Sequence, residues 1–208
     1  MKKKVLIIFC IAIISLIAII IYNKSKKSNI NEIIISEVDL KNIDELMIGS
    51  EPPKLLYADK EKVIFDCSGV YVYDMKNQAL TKSFDISSTM SKMYGKRIWN
   101  CFVSQDGKQI FFNSSKDTTN LSARYCYSFE NDLVKEIAEK EYTDNRKNAF
   151  ECTYLDYKDE LYEKASGSIV NISDNEYVYL TFQDWKVSTI EIVYVYDGKE
   201  TYYSVFDN

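Results

Sequence analysis

Histidine is absent from the 208 residues, and that absence removes more chemistry than any other feature of the composition. Serine with histidine and cysteine with histidine cannot be paired as nucleophile and base, and most catalytic zinc sites go with them. Five cysteines occur, Cys10, Cys67, Cys101, Cys126 and Cys152, but no two stand as C-x-x-C. A structural zinc site would have to be assembled from scattered thiolates. No D-x-[DN]-x-[DN]-G loop is present for calcium. The chain is expected to hold no metal and no cofactor. Proline is confined to Pro52 and Pro53, which impose an extended conformation on the chain just before its first strand.

Carboxylate chemistry is what remains for an enzyme. Asp156 with Asp159, and Glu160 with Glu163, are the close acidic pairs, and they lie in a charged stretch whose ordinary reading is a solvated face. A glycosidase needs two carboxyls facing each other across a cleft. A carboxylate-dependent hydrolase is therefore the least supported of three readings, and the chain is expected not to be an enzyme.

A second scarcity is local. Between Val5 and Tyr22 there is no charged residue, and Ser15 is the only aliphatic hydroxyl. These 18 residues would span about 27 Å as a helix, enough to cross the hydrocarbon core of a bilayer. Lys2, Lys3 and Lys4 precede the run and Lys24, Lys26 and Lys27 follow it. The run is longer than a secretory core and ends without the small residues a signal peptidase reads. Cys10 follows Phe9 in mid-span, away from any lipidation position. Residues 1–27 are expected to be a retained signal-anchor. The flanking lysines balance, so direction rests on the four residues before the span and on the ease with which long C-terminal domains translocate. The expected location is the cell membrane, single-pass, with the C-terminal domain extracytoplasmic.

Over residues 28–208, 20 Lys and Arg stand against 31 Asp and Glu, a formal charge of −11. Such a surface repels phosphates, which excludes nucleic acid as a partner. About 180 residues suffice for one domain with a substantial core. Residues 28–54 read as a stalk carrying a short helix over about 37–48, with Ser36 as its cap and Leu40, Ile43, Leu46 and Met47 at helical spacing. Residues 55–208 read as one all-β domain. Its cysteines are expected to be reduced core residues.

The β reading comes from repetition. Lys62–Gly69 running into Val70–Asp74, Lys108–Asn113 followed by Ala123–Ser128, and Glu176–Phe182 followed by Ile190–Asp197 can be written beneath one another. Each pair has a further strand before it, at 55–57, 99–103 and 168–172, and another after it, at 80–86, 133–137 and 201–206. Three four-stranded antiparallel, propeller-blade-like units result. Val63, Phe65 and Cys67 alternate with Ile64, and Tyr177 and Tyr179 with Val178 and Leu180. Both faces of each sheet are apolar, as burial between neighbours requires.

Ser104, Gln105, Asp106, Gly107 and Lys108 form a turn signal between two of these strands. They resemble the Ser-Pro-Asp-Gly-Lys hairpin of WD-like propeller repeats of the Tol-associated periplasmic type, with Gln105 in place of proline. From Leu55 to Tyr154 the succession Lys62–Phe65, Gly69–Asp74, Ser83–Ile86 and Val103–Gly107 is similar to extracytoplasmic domains of clostridial membrane metallopeptidases of the β-lactam sensor-transducer type. The His-Glu-x-x-His helix of those peptidases is absent. The resemblance implies a detached sensory or interaction domain.

Three blades do not close a ring. The outer faces must be capped, or the chain self-associates, or the units form a curved stack. The 36–47 helix and the 146–165 insertion are the candidate caps, the latter as a second helix with Phe150, Tyr154, Tyr157 and Leu161 on one face. Most of the 17 tyrosines fall in strands, where two-sided burial accounts for them. Trp99 and Trp185, near strand ends, are the candidate contact residues. The leading expectation is a membrane-anchored binding or sensory domain with a protein partner, and the first competitor is a cell-envelope carbohydrate-binding module.

Overall fold

A computed structural model of the chain describes residues 38, 40–48, 52–67, 69–84, 98–115 and 122–206, all within the unit Ile34–Asn208. The expected anchor, residues 1–27, and most of the expected stalk lie outside the described residues. Among the described residues no helix is long and apolar enough to cross a membrane.

The described chain is mostly β and forms three antiparallel sheets. Sheet 1 holds β1 (Lys54–Ala58), β2 (Lys62–Asp66), β3 (Val70–Asp74) and β4 (Ala79–Phe84) in sequence order. Sheet 2 holds β5 (Ile98–Val103), β6 (Gln109–Ser115), β7 (Ser122–Ser128) and β8 (Leu133–Glu136) in the same order. Sheet 3 holds β9 (Thr153–Tyr154), β10 (Ser168–Ser173), β11 (Glu176–Thr181), β12 (Glu191–Tyr196) and β13 (Lys199–Ser204). The third unit therefore has five strands where four were expected. The addition is the two-residue β9, which pairs with Ser168 and Ile169.

Local chemistry fixes the turns. Asp59 Oδ1 accepts hydrogen bonds from the amides of Glu61 and Lys62 between β1 and β2, and Asp74 Oδ1 accepts from the Asn77 amide after β3. Between β12 and β13 a two-residue turn places Asp197 and Gly198 at φ 49° and 74°, the left-handed pair that joins twisted strands without splaying them.

The two apolar faces of sheet 1 go to different neighbours. Val63, Phe65, Tyr71 and Tyr73 share a core with Val170, Val178, Leu180 and Ile192 of sheet 3. Ile64 and Val72, paired on the opposite face, are also buried. On the sheet 2 side, Lys82 of β4 forms an ion pair with Asp132 at 2.7 Å and lies over the Tyr127 ring, while β1 runs beside β5. Sheet 1 is thus the middle layer.

The outward faces are covered by the chain itself. On sheet 2, Phe111 and Cys126 pack with Ile137 and with Tyr142 of α1 (Glu139–Lys147). On sheet 3, Ile169, Tyr179, Val193 and Val195 pack with Leu155, Leu161 and Ala165. Among the described residues both outward faces carry a cap, one from an expected element and one not. The 146–165 insertion covers sheet 3, but as β9 followed by turns and not as a helix. Its acidic side chains compete with helical bonding: Asp159 Oδ2 accepts from the Asp156 amide and Asp156 Oδ1 from the Lys158 amide. The helix expected over 37–48 is a shorter 3-10 segment, η1 (Leu40–Glu45). Its Ile43 enters the core between sheets 1 and 3 and caps neither end. Sheet 2 is capped instead by α1, whose acidic first turn and basic last turn suit the helix dipole.

Candidate functional site

Where β1 and β5 meet, the chain leaving α1 closes a cleft of about 290 Å³. Ala149 bridges Ser104, and the Phe150 amide donates to the Val103 carbonyl at 2.9 Å, so this segment extends the edge of β5. Phe150 then packs against Tyr57 with ring centroids 4.5 Å apart. Cys152 donates from its thiol to the Leu55 carbonyl at 3.1 Å, beside the irregular register between Leu55 and Tyr57 in β1. Leu55, Leu56, Phe102 and Phe150 give the cleft an apolar lining, to which Lys54 and Glu151 add one charge of each sign. Tyr154, 71% exposed, stands among the lining residues. An apolar recess with opposite charges and an exposed aromatic ring suits a ligand of mixed polarity.

Cys101 and Cys152 also line the cleft, yet burial pushes both thiols up, Cys152 to about 11. Burial likewise takes Cys67 to about 12 and Cys126 to about 11. A thiol that stays protonated at neutral pH is a poor nucleophile and a poor metal ligand. Among the described residues these four cysteines are free, and no group of three or more His, Cys, Asp or Glu side chains is placed to hold a metal ion.

The raised thiols have a measurable consequence. Above their ordinary value of 9.0 an unfolded chain releases protons that the folded one retains, so stability falls as pH rises. Tyr57 and Tyr179, pushed up by burial and by their carboxylate neighbours, act in the same direction at higher pH. Urea midpoints are expected to be highest below pH 9 and to fall steadily toward pH 11. A midpoint that stays level over that range would show that the thiols are not buried as described.

Trp185 occupies a different feature. The loop after β11 places Asp184 and Trp185 in succession at φ 52° and 54°, a left-handed conformation that a bulky side chain rarely takes. Backbone bonds hold it there. The Ile48 amide donates to the Trp185 carbonyl at 2.7 Å, and the Val187 amide to the Leu46 carbonyl at 2.9 Å, around a bridge between Met47 and Lys186. The Trp185 ring meets Phe182 edge to face at 5.2 Å and remains 51% exposed. Trp185 is not among the residues lining the cleft. Trp99 lies in β5, and its side chain falls outside what is described.

Of the acidic pairs, the Asp159 and Asp156 carboxylates close a turn by accepting from the Asp156 and Lys158 amides, and Glu160 and Glu163 are exposed. Lys54, Glu151 and Tyr154 carried no signal of a site in the sequence, because three separate segments bring the cleft together. Compared with models of known protein families and with curated proteins, the chain matches none.

Proposed function

We propose that this protein is a single-pass, membrane-anchored binding domain, held outside the cytoplasm, that recognises a protein partner and acts without catalysis. The observation that carries the reading is the cleft at β1 and β5, with its apolar lining, its Lys54 and Glu151 charges and its exposed Tyr154. Two further features support it. The three sheets are blade-like, each a run of consecutive antiparallel strands stacked on the next, in keeping with the WD-like hairpin at Ser104–Lys108. Both outward faces are covered from within the chain, so the domain needs no second copy to complete its core. The anchor rests on the apolar run from Val5 to Tyr22.

A carbohydrate-binding module of the cell envelope is the second reading, favoured by Tyr154, since an exposed aromatic face can stack on a sugar ring. Both readings are tested by capture with the full chain in detergent, from a membrane-protein extract and from purified wall glycan. A membrane protein retained by the wild type, lost with the double variant Glu151→Lys and Tyr154→Ala, and kept with Glu130→Gln, an exposed position in the β7–β8 turn at the other edge of sheet 2, supports the proposal. Retention of glycan alone, abolished by Tyr154→Ala, overturns it in favour of the carbohydrate reading. Turnover of a glycan panel that disappears on one acid-to-amide substitution would establish the hydrolase.

A further inference from the structure

We propose that the Trp185 loop and Met47 together dock onto the lipid interface of the membrane that carries the anchor, with zwitterionic phospholipid as the ligand. The inference rests on the anchor reading given under Proposed function. Met47 and Trp185 are 57% and 51% exposed, on two segments bound to each other as a short antiparallel ribbon. Two large apolar side chains are therefore presented from one small, braced feature. Thr189 adds to the bracing, its hydroxyl accepting from the Gln183 amide and donating to the Lys186 carbonyl. The left-handed backbone at Asp184 and Trp185 carries a conformational cost that core packing does not explain, because the ring it positions stays half in solvent. Strain that displays a side chain instead of burying it fits a contact role.

Chain length points to the membrane as the surface met. The apolar run ends at Tyr22 and Met47 lies 25 residues later. The first described residue, Val38, is 16 steps from Tyr22, a reach of at most about 55 Å even fully extended. The Met47 side of the ribbon thus follows the apolar run on a tether that lets it reach the same membrane. Tryptophan is an interfacial residue, since its ring is apolar while its indole N–H seeks a polar partner. Lys186, in the same loop, is exposed and able to reach headgroup phosphate. The charge of −11 over residues 28–208 disfavours anionic lipid, so the surface is zwitterionic phosphatidylcholine rather than a phosphatidylserine-rich leaflet.

Full-length Trp99→Phe protein, in which Trp185 is the only indole, tests this in vesicles of phosphatidylcholine brominated near the headgroup end of the acyl chains. Vesicle flotation is measured first. Trp185 emission is expected to fall about twofold relative to unbrominated vesicles, as a side chain at the headgroup boundary requires. Met47→Asp should restore much of that emission with the far-UV circular dichroism unchanged, and phosphatidylserine added to the vesicles should weaken the quenching. The Trp185→Phe variant, reporting Trp99 alone, serves as the reference should Trp99→Phe fold poorly: wild-type protein must then show more quenching than Trp185→Phe. A chain that floats with unquenched Trp185 overturns the docking alone. A chain that does not float overturns the docking and the anchor together.

Discussion

Phe65→Ala is expected to cost about 3–5 kcal/mol, as large aromatic truncations in a close-packed core do. Phe65 has no exposed surface, stacks on Tyr71 at 5.1 Å and sits in the middle strand pair of the middle sheet, where sheet 3 packs against it. β3 pairs with β2 residue for residue, and β1 pairs with it on both sides of the irregularity at Leu56, so both flanking strands are held against collapse into the gap. A domain of this size has about 5–15 kcal/mol of stability in all, so the loss removes a large part of it. With a urea slope of about 2 kcal/mol per molar, the midpoint should fall by about 2 M. Tyr157→Ala provides the contrast. That ring is 73% exposed, and its removal should change stability by no more than about 0.5 kcal/mol. Equal shifts for the two variants would mean that sheets 1 and 3 do not share a core.

Gly107→Ala should be nearly as damaging, and for two separable reasons. Gly107 has φ +68°, and a Cβ there would lie 2.6 Å from Tyr57 Cζ and 2.9 Å from Lys62 Cε. The Tyr57 ring has little room to yield. It is packed on Phe150, carries Lys62 over its face, and donates its hydroxyl to Asp59 at 2.8 Å. Left-handed backbone costs a residue with a Cβ about 1–2 kcal/mol, and overpacking adds about 1–3 kcal/mol. Gly198 isolates the first contribution. Its φ is +74°, and a methyl group added there would meet nothing within 4 Å, so Gly198→Ala should cost only the backbone part. The difference between the two midpoints measures how tightly the β5–β6 hairpin of sheet 2 is seated on sheet 1. Because Tyr57 supports Phe150 in the cleft, Gly107→Ala should also weaken ligand capture, whereas Gly198→Ala should not. Indistinguishable midpoints would contradict the packing of sheet 2 on sheet 1.

The strands were legible because two signals agreed. Alternation marks individual strands, and the same pattern recurs three times, so Lys62–Asp66, Gln109–Ser115 and Glu176–Thr181 each confirm the others. Two-sided burial was legible from the apolar residues on both faces. The caps were not. In α1 Tyr142 is the only buried residue, so no apolar period announces a helix. Phe150, Tyr154, Tyr157 and Leu161 do have helical spacing, but they serve different ends. Phe150 packs on Tyr57, Tyr154 and Tyr157 are exposed, and Leu161 covers sheet 3. A spacing rule presumes one shared environment, and this segment has three.

The candidate site was harder still. Its lining comes from residues 54–56, 101–102, 150–152 and 154, and no local pattern links them. Trp185 could be singled out as a tryptophan in a polar loop, but not its left-handed backbone or its brace against Leu46 and Ile48. Those depend on a bridge between segments about 140 residues apart.

Whether a binding domain is held at the membrane with its C-terminal part outside the cytoplasm decides the proposed function. Intact cells expressing the full chain, tagged after Asn208, can be treated with a membrane-impermeant protease. The tag and the 55–208 domain should be digested while a cytoplasmic marker survives, and undigested chain should stay with the membrane through an alkaline carbonate wash. A domain protected until the cells are lysed, or a chain released by the wash, would contradict the proposal.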